Sequence, residues 1–123
     1  MAQSILIVED NPDNQDLAQI LLEAEGYDVR IAGDAESALE ALHGSYRPDL
    51  ILMDIQLPGM DGLALTRILR REPAYQEVVI VALSAYAMNG DAENARVAGC
   101  DGYITKPIDT RSFADSVRIY LPT

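Results

Sequence analysis

Four places in the chain put reactive side chains directly after an apolar run. Glu9 and Asp10 follow SILIV, Asp54 ends the run beginning DLILM, Ser84 follows VVIVAL, and Lys106, with Pro107 behind it, follows GYIT. A lone aspartate at a strand end is most often a solvated charge. Three carboxylates brought close together are different, because they repel and at least one would be held protonated. A hard divalent cation removes that conflict, and oxygen-only ligands with room for water suit Mg2+. Lys106 is the single lysine, since the other eight basic residues are arginines. Its ammonium is a compact point charge suited to a phosphate oxygen. With the Ser84 hydroxyl, the set could bind a tetrahedral anion beside a nucleophilic carboxylate.

The elements that must position these groups alternate strictly. Strands are predicted at Ser4 to Val8, Asp28 to Ala32, Leu50 to Asp54, Val78 to Leu83 and Gly102 to Thr105. Pro12 opens a first helix on which Leu17, Ile20, Leu21 and Ala24 recur at helical spacing, with Gly26 as the stop. Asp34 is placed to cap a second helix through Leu42. After the Pro58–Gly59 turn a third helix runs from about Asp61 to Arg71 with Leu65, Ile68 and Leu69 inward. A fourth spans about Asp91 to Ala98, and the last runs from Asp109 or Thr110 to Tyr120. Apolar strands alternating with helices mean an α/β parallel sheet covered on both faces. In such sheets ligands bind outside the carboxyl ends of the strands, where the strand order reverses. If the first and third strands are neighbours, Asp10 and Asp54 share one crevice.

At 123 residues the chain reads as a single domain, residues 1–123. A net charge of −11 argues against binding a nucleic-acid backbone. No apolar run approaches the roughly 20 residues of a membrane span, and the N-terminus lacks the marks of a signal peptide. One cysteine, Cys100, excludes an internal disulfide and fits a cytoplasmic setting.

Read together, EDN at residue 9, DIQLPGMDG around Asp54, SAYA from Ser84 and YITKP from Tyr103 resemble the receiver (CheY-like) domain of two-component response regulators. The resemblance covers essentially the whole chain, and the wording is most like single-domain regulators of the DivK type. It implies a doubly wound, five-stranded, flavodoxin-like (βα)5 fold in the order 2-1-3-4-5, an order that the pattern alone does not supply. It implies that Asp54 is the phosphoacceptor, taking its phosphoryl group from a histidine kinase or a histidine phosphotransfer protein. It implies Mg2+ held by Asp10, Asp54 and the backbone carbonyl of Gln56, with Glu9 acting through water. Lys106 would pair with the phosphoryl group behind a cis bond to Pro107, and Ser84 would donate to it. Tyr103 would turn inward as the switch, exposing a changed face of the fourth helix, fifth strand and fifth helix to a downstream protein target. Gln56 and Tyr86 would tune hydrolysis of the acyl phosphate. Such a domain catalyses only its own phosphorylation and slow dephosphorylation, and it is not an enzyme acting on external substrate. No output domain is expected, although a receiver excised from a hybrid kinase, or a relay intermediate, would read similarly.

Other readings stand beside this one. An aspartyl-phosphate hydrolase usually wants a second acid two residues after the nucleophile, where this chain has Gln56. A pure interaction module would not need the full set of Asp10, Asp54, Ser84 and Lys106. A nucleotide-binding flavodoxin-like protein would need a Gly-rich loop after the first strand. Asn14 and Gln15 read as helix surface, Cys100 as a small buried residue, and His43 as an isolated helix-end imidazole. Residues 88–90 could form a loop closing over the site. The protein is expected to be a monomer or weak homodimer, with Phe113, Val117 and Leu121 along one side of the last helix facing either a second copy or the sheet.

Overall fold

The computed structural model describes residues 3–44, 46–57, 59–84 and 91–121. Five strands, β1 (Ser4–Val8), β2 (Asp28–Ala32), β3 (Leu50–Asp54), β4 (Val79–Ser84) and β5 (Gly102–Thr105), form one sheet in the order β2-β1-β3-β4-β5. Every pairing is parallel. Helices α1 (Pro12–Glu23), α2 (Ala35–His43), α3 (Gly62–Arg70), α4 (Asp91–Ala98) and α5 (Phe113–Tyr120) connect and cover the strands, with a 3-10 turn at Pro73–Tyr75.

Alternate residues of a strand point to opposite faces, so a strand buried on both sides must be apolar throughout. Leu6, Val8, Ile51, Met53, Ile80 and Ala82 pack on one face, with residues of α2, α3 and α4. Ile5, Ile7, Leu50, Leu52, Val81 and Leu83 pack on the other, with residues of α1 and α5. The helix starts follow local chemistry. The side chains of Asn11, Asp34 and Asp61 accept from free amides of the first turns of α1, α2 and α3. After α1 the chain turns at Gly26, whose φ of 91° favours glycine.

Two expectations change, and one open alternative is decided. On α1 the buried residues are Ala18 and Leu22, while Ile20 is 65% exposed. Leu17 and Leu21 are half-buried and pack against the same cluster as Ala18 and Leu22, while Ile20 and Ala24 face solvent. The last helix starts at Phe113, because the Phe113 and Ser112 amides both bond back to the Asp109 carbonyl in a preceding turn. Phe113, Val117 and Leu121 are all buried in the core, so they are not a dimer surface. Pro58, Tyr86, residues 88–90 and Pro122 lie outside the described residues.

Candidate functional site

The strand order reverses between β1 and β3, and the predicted residues meet there. Val8 pairs with Met53, so Glu9 and Asp54 follow side by side on neighbouring strands. The Glu9 amide donates to the Ala32 carbonyl at 3.0 Å, which carries the β2 pairing one residue beyond β1. Glu9 is fully buried and Asp54 is 2% exposed, whereas Asp10 faces solvent. Oxygens of Glu9, Asp10 and Asp54 lie within 4.8 Å of one another.

Lys106 reaches this cluster from the far side. Its amide donates to the Ser84 carbonyl at 2.7 Å, tying the ends of β4 and β5 together, and its bond to Pro107 is cis. Its Nζ lies 3.0 Å from Asp54 Oδ2 and 2.7 Å from Glu9 Oε1. The other Asp54 oxygen, Oδ1, accepts from the Gln56 amide at 2.9 Å. Asp54 is thus held at both oxygens, by the turn that follows it and by a lysine two strands away.

The charges are not balanced. One ammonium faces two buried carboxylates. Burial first, and then the neighbouring Asp54, push the Glu9 carboxyl above its ordinary value, against the opposing pull of Lys106 and the Asn11 amide. Burial works to lower the Lys106 pKa, but its bonds to Glu9 and Asp54 outweigh that and raise it. Among the described residues Glu9 Oε1 has the Lys106 ammonium, at 2.7 Å, as its one close polar contact, and Lys106 shares that charge with Asp54. Three carboxylates gathered within 4.8 Å against a single ammonium fit a hard divalent cation that takes oxygen ligands.

Ser84 is buried at the end of β4, pairing with Thr105 of β5. Tyr103 is half-buried on β5 and packs against the cluster formed with α2, α3 and α4. Gln56 is exposed. His43 is on the surface, 3.6 Å from Glu72 and remote from the acids in the chain's order, and Cys100 is buried beside Thr66.

Two residues to which sequence reasoning assigned no functional role shape the site. Gly62 brings α3 against β3: a Cβ there would lie 2.1 Å from the Asp54 carbonyl oxygen. Gln15 is half-buried instead of surface, and its Nε2 donates to the Glu9 carbonyl at 2.6 Å. A signal existed for it, since residues 15, 18 and 22 form one helical stripe with the buried Ala18 and Leu22.

A five-stranded order with acids at its reversal and a lysine from the last strand defines a class of protein as well as a site. The response regulator receiver domain family matches residues 5–118, and the chain belongs to that family. Its relatives include the polar-differentiation response regulator DivK of Brucella anthropi, 42% identical with 98% of each chain covered. Among solved structures it is similar to the receiver domain of sensor histidine kinase PA1611 from Pseudomonas aeruginosa PAO1. That domain is 37% identical, with 98% of each chain covered and a TM-score of 0.87, and has a magnesium ion coordinated in its active site cleft. The chemotaxis response regulator CheY4 of Vibrio cholerae shares the fold at a TM-score of 0.92, with 22% identity over 98% of this chain and 100% of that one. No helix among the described residues is long and apolar enough to cross a membrane.

Proposed function

We propose that this chain is a single-domain phosphoacceptor in which Asp54 takes a phosphoryl group from a histidine kinase or histidine phosphotransfer protein. The observation that carries the reading is the Lys106 ammonium held between buried Glu9 and Asp54 at the strand-order reversal. An Asp54 oxygen attacks phosphorus, the P–N bond to the donor imidazole breaks as the new P–O bond forms, and the electron pair leaves with the imidazole. Gln56 and Lys106 orient the attacking carboxylate. Lys106 then exchanges its carboxylate contacts for a phosphoryl oxygen. Asp10, Asp54 and the Gln56 carbonyl would hold Mg2+, with Glu9 acting through water; bound there, Mg2+ supplies charge neutralisation for the incoming anion.

The arriving group adds about −1.5 to −2 charges. A hydrogen bond from the Ser84 hydroxyl to a charged oxygen contributes roughly 1.5–3 kcal/mol, enough to move a two-state equilibrium about ten- to a hundredfold. Tyr103 lines a groove of about 510 Å³ beside Phe113, Ile119 and Tyr120, and also a smaller cavity of about 230 Å³ beside Cys100. Open space bordering Tyr103 supports a ring that changes position when Ser84 is drawn toward Asp54. The downstream target reads the α4–β5–α5 face, and Tyr86 and Gln56 tune loss of the phosphoryl group to water. The protein works in the cytoplasm and acts on no external substrate.

The test is labelling by a small phosphodonor such as acetyl phosphate in Mg2+, followed by intact mass. Wild type gains one phosphoryl group, and Asp54→Asn gains none; equal labelling of the variant would refute the assignment. A second reading, passage of the group onward to another histidine, is favoured by the likeness to a sensor-kinase receiver. Fast transfer from the phosphorylated protein to a phosphotransfer domain would distinguish it.

A further inference from the structure

Two acids of the cluster have polar partners and the third has none among the described residues. Glu9 Oε2 accepts from the Asn11 amide, and both Asp54 oxygens are engaged by Gln56 and Lys106. The Asp10 carboxylate is exposed, and among the described residues it takes part in no hydrogen bond or ion pair. Its direction therefore depends on the backbone that presents it.

That backbone is clamped from two sides. The Glu9 amide donates to the Ala32 carbonyl of β2 at 3.0 Å, and the Glu9 carbonyl accepts from Gln15 Nε2 of α1 at 2.6 Å. The Glu9 carbonyl and the Asp10 amide belong to one planar peptide unit. Fixing its oxygen fixes the tilt of that plane, and with it the direction in which Asp10 leaves the strand end. Gln15 is itself anchored, half-buried on the α1 stripe that continues to Ala18 and Leu22, and its amide donates to the Asn11 carbonyl at 3.0 Å. We infer that Gln15 is a positioning residue for the metal-binding turn, holding Asp10 aimed at the cation through the Glu9–Asp10 peptide.

The inference rests on the Mg2+ site proposed above. Its role is indirect, so its loss should weaken the cation's grip without abolishing it. Outer partners that orient metal ligands typically account for about 10–100-fold in affinity. The experiment is calorimetric titration of the full chain with MgCl2, paired with urea unfolding of the metal-free protein. Two variants are compared: Gln15→Met, which keeps the length and removes the donor, and Gln15→Ala, which removes the side chain. The expected result is a Mg2+ Kd raised about tenfold or more in both, at a concentration of protein where urea curves show each fully folded. A residue that merely braces α1 would shift the urea midpoint and leave Kd unchanged. That outcome, with wild type binding Mg2+, overturns the inference and leaves the acid cluster's role standing. A wild-type chain that binds no Mg2+ overturns both.

Discussion

Lys106 meets two buried carboxylates with one charge, and its removal and the removal of Glu9 should have opposite effects. Glu9 and Asp54 lie 2.7 and 3.0 Å from its Nζ. Taking the ammonium away strands both acids in a site that water barely reaches. Breaking a buried ion pair in this way costs about 3–5 kcal/mol, and the exposed edge at Asp10 points to the lower end of that range. We expect Lys106→Met to lower the stability of the metal-free protein, read from urea unfolding, by that amount. Glu9→Gln, which leaves one ammonium facing Asp54, should raise it. Equal destabilisation by both would show that the charge imbalance does not govern stability here. Cys100 offers a separate check on burial. Desolvation pushes its thiol above the ordinary value of 9.0, against the opposing hydrogen bond with Thr66. The folded state therefore keeps a proton that the unfolded chain releases near pH 9.0, and the stability this lends is lost as pH rises through the folded value. Alkylation by iodoacetamide at pH 9 should be slow in the native protein and fast in urea; equal rates would contradict the burial.

At the scale of elements, the site depends on how closely α3 approaches the end of β3. Gly62 donates its amide to the Ile55 carbonyl at 2.9 Å, and a Cβ on it would meet the Asp54 carbonyl carbon and the Met53 side chain at 2.9 Å. Gly62→Ala must push the helix away from the strand that bears Asp54. A loss of at least about 2 kcal/mol is expected, as for other overpacked core positions, together with weaker Mg2+ binding. Stability and Mg2+ affinity both unchanged would show that the close approach is dispensable. Much of this level was legible beforehand. The strands were continuous apolar runs, and the Asp34 cap bonds the Ser37 amide at 2.7 Å as its position implied. The phase of α1 was only partly legible: Leu17 and Leu21 do pack on the core, but helical spacing alone does not say that Ala18 and Leu22 are buried more deeply while Ile20 and Ala24 face out. Only docking on the sheet separates them, and it is docking that turned Gln15 inward and Ile20 out. The start of α5 was obscured by the turn at Asp109, whose carboxylate accepts from the Arg111 amide and so competes with the helix for its own first donors.

For the whole molecule, the sheet order did not follow from alternation of strands and helices, and it entered through the family's motifs. Once that order places β1 beside β3, the convergence of Glu9, Asp10 and Asp54 follows from strand spacing alone. The reach of Lys106 to Glu9 does not follow, because a long side chain can settle on any of several acids. A chain of net charge −11 with three of its acids gathered at one sheet end should be stabilised by the cation that fits there. At a hundredfold excess over Kd, binding to the folded state alone adds about 2.7 kcal/mol, or about 10 °C in Tm for a domain of this size. NaCl at matched ionic strength should give much less, EDTA should reverse the gain, and Asp10→Asn should lose most of it. Equal shifts with NaCl and MgCl2 would reduce the effect to general screening of the acidic surface. The central claim, that Asp54 carries the phosphoryl group, is tested most directly by treating the phosphorylated protein with borohydride, which reduces an acyl phosphate to the alcohol. Peptide mass spectrometry should place homoserine at residue 54 and nowhere else, dependent on Mg2+ in the labelling step. Homoserine at position 10, or a phosphoryl group retained elsewhere with residue 54 unaltered, would contradict the account.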